Sequence, residues 1–256
     1  MRGLWVVIVP VMVFLYLPIG VVVAYSFNAS VVSAEWTGFT LQWYADMVAD
    51  SRLRDALWVS LRVAFVSCLV SSLIAAVGAV GVHSLSRRIR SSVNVLIYTP
   101  LIIPEIILGV ALMLIFSVTP LRFGMDTLFV AHTVFAVPYV YIMTSLRLNA
   151  VEPSIFEASK DLGAGGVATF FNITLPLVLP GILSGTLLAF AISMDNVMIS
   201  TFNSGPGAAT LPVTIFSMLR SGITPRINAL YTVLLIVTAA VVVVYHTGFN
   251  RKIRGG

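Results

Sequence analysis

Two carboxylates stand inside long apolar stretches of this 256-residue chain: Glu105, in IIPEIILG, and Asp195, in SMDN. A charged side chain in hydrocarbon is costly, so such a residue is by default a hypothesis about a polar pathway, and either acid could receive a cationic group. The competing readings stay open. Glu105 could be a helix-end acid freed by Pro104, or half of an ion pair; Asp195 could make an interhelical hydrogen bond or an inter-subunit contact. Little else could do chemistry. Cys68 is the only cysteine and reads as a small buried hydrophobe. His83, His132 and His246 are isolated and read as interfacial hydrogen-bonding residues near span ends. No Cys/His spacing suggests a metal, and no nucleophile–base cluster suggests an enzyme. No G-x(4)-G-K-[ST] phosphate loop is present, so ATP must be handled on another chain.

The elements that must hold these acids are membrane spans. The chain is 59% hydrophobic and 10% charged, against about 25% charged in a soluble domain. So little polar surface places it in a bilayer, as one transmembrane domain over 1–256. Six stretches reach the roughly 20 apolar residues a span needs: about 4–27, 56–82, 93–118, 127–147, 177–200 and 227–248. The first is too long for a signal-peptide core and reads as a retained span. Small residues recur at spacings of four in the second (Ser67, Ser71, Ala75, Ala79) and the fifth (Gly181, Gly185, Ala189), where helices can approach closely. Pro10, Pro18, Pro100, Pro104 and Pro138 lie in or beside spans, tolerated if neighbours satisfy the freed carbonyls.

Nine Lys and Arg fall on the side of the termini: Arg2, Arg87, Arg88, Arg90, Arg147, Lys160, Arg251, Lys252 and Arg254. The other six (Arg52, Arg54, Arg62, Arg122, Arg220, Arg226) fall opposite, balanced by Asp46, Asp50, Asp55 and Asp126. This bias predicts that both termini are cytoplasmic. The net charge of +5 is then an orientation signal, not a nucleic-acid surface. In the outer segment, Trp36, Trp43 and Tyr44 suit a membrane interface. The glycosylation-like triplets at Asn28 and Asn172 are chance matches. FNSGPGAATLP, at 202–212, reads as an outer loop.

That orientation puts 151–176, VEPSIFEASKDLGAGGVATFFNITLP, in the cytoplasm. Pro153 suits a first helical turn, and Ile155, Phe156, Ser159 and Leu162 could form one stripe. Gly163 sits where a helix C′ residue takes positive φ. Gly165 and Gly166 precede a second short segment ending at Phe170 and Phe171, and Pro176 opens the fifth span. Two short rigid helices across the cytoplasmic face would make a docking element; an ordinary amphipathic connector is the plainer reading.

Here the residues carry a resemblance. EASKDLGAGG followed by ITLPLVLPG is similar to the EAA loop of ABC-importer permeases, E-A-A-x(3)-G and then I-x-L-P: Glu157, Ala158, Gly163, Ile173, Leu175 and Pro176 match. Ser159 replaces the second alanine, small for small. The stretch from AISMDN to LYTVLL, with YSFNAS and GFTLQWY, resembles spermidine/putrescine permeases of the PotC type. The resemblance implies an all-α, six-helix type I ABC-importer permease fold and a bacterial inner-membrane location. It implies two ATPase subunits, which carry ATP and Mg, a second PotB-like permease subunit and a periplasmic substrate-binding protein, with no cofactor on this chain. Phe156, Glu157, Ala158, Ser159, Asp161, Leu162 and Gly163 would couple it to the ATPase. Glu105, Asp195 and Asn196 would line the substrate pathway. Asn196 is a departure: the subfamily often has a second aspartate there, and its loss leaves room for a less cationic cargo such as an opine. A secondary transporter driven by an ion gradient is the other function class, though no internal repeat of the kind such transporters carry is visible.

Overall fold

The computed structural model describes residues 2–31, 35–220, 222 and 224–254, with side chains described from Trp5 to Ala240 within those ranges. The elements are helices in succession: α1 (Arg2–Tyr25), α2 (Gln42–Ala49), α3 (Ser51–His83), α4 (Arg87–Ile102), α5 (Glu105–Ser117) and α6 (Met125–Asn149). Then come α7 (Pro153–Asp161), α8 (Gly166–Thr169), a π-helical turn (Phe170–Thr174), α9 (Leu175–Asp195), α10 (Met198–Asn203), α11 (Leu211–Arg220) and α12 (Pro225–Arg254). Among the described residues the only strand-like pairing is one bridge between Asn28 and Phe39.

Trp5–Tyr25, Ser51–His83, Met125–Asn149 and Gly166–Asp195 are long and apolar enough to cross a membrane, and α4 with α5 makes a fifth if counted as one span. The expected sixth stretch, 227–248, lies in α12, of which only Pro225–Ala240 has described side chains; His246 lies outside them. The expected third span, 93–118, is two helices meeting at 105°. Pro104 is the cause. Its ring pushes Ile103 out of the helical region, to ψ 131, and it offers no N–H to the preceding turn. The expected fifth span also changes. It begins at Gly166, because the second loop helix runs through the π-turn into α9, and it stops at Asp195 rather than 200. The π-turn ends two residues before Pro176, whose ring would clash with the carbonyl of Asn172 in a regular α-turn; a wider turn relieves that clash.

The chain divides into two compact units, Met1–Arg54 with Ile215–Gly256, and Asp55–Thr214. In the first, Asn28 organises the segment after α1. It is fully buried, its Nδ2 donates to the Glu35 carbonyl (2.6 Å), and its Oδ1 accepts the amides of Ser30 and Thr37. The aromatic residues expected at a membrane interface also tie this segment together. Trp43 Nε1 donates to the Asn28 carbonyl at 2.7 Å, the Tyr44 hydroxyl meets Ser26 Oγ at 2.6 Å, and Trp36 stands edge-on to Tyr25. Arg226 pairs with Asp50 and Asp46.

The second unit holds both acids and the EAA-like segment. Its axis is the α6–α9 pair, and the small residues do what their spacing predicts. Gly181, Gly185 and Ala189 are buried against α6; a Cβ at Gly185 would lie 2.7 Å from the Val140 Cα, and one at Gly181 would lie 2.7 Å from the Met143 carbonyl oxygen. Ser67, Ser71, Ala75 and Ala79 are likewise buried on α3, where Ser67 donates to the Phe129 carbonyl and Ser72 bonds Thr186 of α9. Cys68 is buried among the apolar residues of this core, as expected.

Candidate functional site

Glu105 is the first residue of α5, just past the Pro104 break, and Asp195 is the last residue of α9, just before a second break at Asn196 and Val197. Though 90 positions apart in sequence, their charges interact in the folded chain, and Glu105 interacts in turn with Tyr139 of α6. Both acids are exposed in the isolated chain. A carboxylate is stabilised at a helix N-terminus and opposed at a C-terminus. The placement of Glu105 therefore favours its own helix, whereas that of Asp195 works against α9. Broken spans that aim polar groups at a common point are the way membrane transporters hold solutes within the bilayer.

The third residue expected in the pathway, Asn196, caps the helix after the break. It is buried, and its Oδ1 accepts the Ile199 amide at 2.9 Å, capping α10. Its Nδ2 has no hydrogen-bond partner within the chain.

Sequence reasoning missed one group beside Glu105, Tyr139, and misread another, His132. Tyr139 packs edge-on to Phe135, 5.4 Å between ring centres, beside an apolar cluster of Leu108, Leu112, Phe135 and Ile199. His132 is not interfacial: it is 1% exposed, with Nδ1 2.7 Å from Ser193 Oγ and Nε2 3.0 Å from Ser200 Oγ. Its lone position in an apolar run gave no hint of those partners, which lie more than 60 residues away.

The second candidate element is α7. Pro153 takes its first turn, and Gly163 has φ +79°. The Gly163 amide bonds the Lys160 carbonyl (2.8 Å) and the Ala164 amide bonds that of Ser159 (3.1 Å), a paired closure that terminates the helix in the left-handed region. The single stripe expected from Ile155, Phe156, Ser159 and Leu162 splits in two. Phe156 packs on the α3–α6–α9 core and Ser159 is buried. Leu162 lies beyond the last helical residue, where the chain turns outward, and is 88% exposed. Ile155, Glu157, Ala158 and Asp161 are also exposed. Ser159 is more than a small residue in place of alanine: its hydroxyl bonds Thr169 Oγ1 at 2.8 Å, fastening α7 to α8. Behind α7 lies a cavity of about 540 Å³ lined in part by His83, Asn149, Phe156, Glu157, Lys160 and Phe170.

Long apolar helices, two spans broken beside acids, and a capped helix that turns exposed groups outward define a multi-pass membrane transport subunit. The chain belongs to the family described as binding-protein-dependent transport system inner membrane component, which matches residues 69–255. It is 39% identical over 229 residues to the putrescine transport system permease protein PotI of Escherichia coli (strain K12), covering 87% of this chain and 82% of that protein. It is 35% identical over 230 residues to the spermidine/putrescine transport system permease protein PotC of Haemophilus influenzae, covering 90% of each. Its fold is similar to a chain of the bacterial ABC transporter involved in the import of the acidic polysaccharide alginate, with TM-score 0.76 over 98% of this chain and 94% of that one, at 15% identity. The fold is thus that of a type I ABC-importer permease. The chain is a non-catalytic inner-membrane component in a family that works with ATPase subunits, a partner permease and a periplasmic binding protein.

Proposed function

We propose that this permease carries polyamines inward, with putrescine or spermidine as cargo, and that Glu105 and Asp195 together receive the ammonium groups. The observation that carries this reading is that two carboxylates at two span breaks lie close enough for their charges to interact. Two carboxylates match the two charges of a diamine, and the neighbouring Tyr139 ring is a further surface for a cation. The relatives named for putrescine and spermidine transport favour the same cargo. Asn196 supports the site from behind, as the cap of α10.

In this reading six spans cross the membrane with both termini cytoplasmic, and 1–256 acts as one permease domain. The segment 151–176 docks on an ATPase. Leu162, Ala158, Glu157 and Asp161 make the contact, while Phe156, Ser159 and Gly163 hold them in place. Two ATPase copies bind ATP and Mg, a PotB-like permease completes the pathway, and a periplasmic binding protein delivers the cargo. The test is uptake of labelled putrescine into proteoliposomes carrying the reconstituted complex. Uptake should need ATP and the binding protein and should persist with a protonophore. Uptake that ignores ATP and collapses with the protonophore would establish a secondary transporter instead; ATP-driven uptake of an opine but of no polyamine would overturn the cargo.

A further inference from the structure

The break beside Asp195 needs a frame. Where α9 stops and α10 begins, the peptide ladder is interrupted; Asn196 caps α10 locally, and a tie from a third helix is needed to fix the two together. That tie from α6 is His132, which bonds both sides of the interruption. Ser193 stands two residues before Asp195, in the last turn of α9, and Ser200 stands five residues after it, in the first turn of α10. The imidazole of α6 meets both hydroxyls, at 2.7 and 3.0 Å, in a fully buried setting. A neutral imidazole has one N–H donor and one bare nitrogen acceptor, so it donates to one serine hydroxyl and accepts from the other. The frame continues to the other acid. Asn203, at the end of α10, donates from Nδ2 to the Gly109 carbonyl of α5 at 3.1 Å, one turn beyond Glu105, and its own carbonyl accepts the Thr127 hydroxyl of α6 at 2.7 Å.

We propose that His132 is a positioning residue for the cation site: by stitching α9 to α10 across the break, it holds Asp195 at a fixed distance from Glu105. The inference rests on the reading of those two acids as the cargo site. It asks His132 to touch no cargo and move no proton. Its worth lies in geometry, because a buried polar network that is fully satisfied holds one arrangement, and a half-satisfied one does not.

The test uses the whole complex in proteoliposomes and reads KM and maximal rate for putrescine separately. His132→Leu keeps the bulk and removes both hydrogen bonds; KM should rise about tenfold with the maximal rate within twofold. His132→Gln offers one donor and one acceptor and should restore most of the KM. Should His132→Leu fail to assemble, Ser193→Ala with Ser200→Ala removes the same two bonds at smaller steric change and should raise KM severalfold. Adding His132→Leu to Asp195→Asn should raise KM no further, since the acid being positioned is gone. An unchanged KM in an assembled His132→Leu or double-serine variant overturns the proposal. So does a defect confined to the maximal rate and dependent on pH, which would mark a proton-handling group, or a Gln variant no better than Leu. If instead Asp195→Asn alone leaves uptake unchanged, the cargo-site reading fails first and takes this inference with it.

Discussion

The EAA-like segment and the acid site each put charged residues into an apolar chain, yet they are built by opposite means. The segment is local. Pro153 begins α7, Gly163 ends it with φ +79°, and its backbone closure uses residues at most five apart. The acid site is assembled across the fold, from α5, α6, α9 and α10, with partners tens of residues apart. A locally closed element can keep its shape while it is pushed. A site made of span ends depends on how the helices pack, so it changes whenever they move. A transporter needs both: a firm handle and a site that responds to it.

The comparison predicts where damage spreads. The largest effect belongs to the packing that carries the acid site. Gly185→Leu would drive a side chain into the α6 backbone, where even a Cβ would lie 2.7 Å from the Val140 Cα. Overpacking of this kind costs about 1–3 kcal/mol or more, and the amount of folded protein in the membrane should fall sharply, as read by immunoblot and by thermal denaturation in detergent. A normal level with full uptake would show that the α6–α9 contact is looser than described.

A smaller and more selective loss is expected in the handle. A Cβ at Gly163 meets no atom within 4 Å, so Gly163→Val is opposed by its left-handed backbone rather than by space. That strain is about 1–2 kcal/mol. The variant should reach the membrane normally but transport fewer molecules per ATP hydrolysed; Gly163→Asn, which tolerates positive φ, should lose less. Unchanged stoichiometry in the valine variant would count against docking through α7. The smallest effect is expected from Ser159→Ala, which removes the bond to Thr169. Losing one such bond costs about 1 kcal/mol, and coupling should weaken without loss of the fold. A Ser159→Ala defect as large as that of Gly163→Val would mean the α7–α8 tie, not the helix cap, sets the rigidity.

The same contrast explains what the sequence could tell. The α7 start and stop were legible because Pro and Gly constrain backbone within a few residues. The close-packing face of α9 was legible too, since glycines and alanines at spacings of four leave one helix face bare, though not that α6 fills it. The two breaks were only half visible. Pro104 marks the first, but nothing periodic marks the second, which depends on Asn196 capping α10. Phe156 and Leu162 seemed to share a stripe because helical spacing takes no account of where the helix ends. Tyr139 and His132 were out of reach, because their roles come from neighbours that only the fold supplies.

The central claim is that Glu105 and Asp195 act as one cation site. The most direct test is a double-mutant cycle on putrescine KM, using wild type, Glu105→Gln, Asp195→Asn and the pair in the reconstituted complex. Each single change should raise KM by about tenfold, the equivalent of roughly 1.4 kcal/mol. The double variant should fall well short of the product of the two, because groups in one site are coupled. Wild-type KM in both single variants, or effects that multiply as for independent sites, would contradict it.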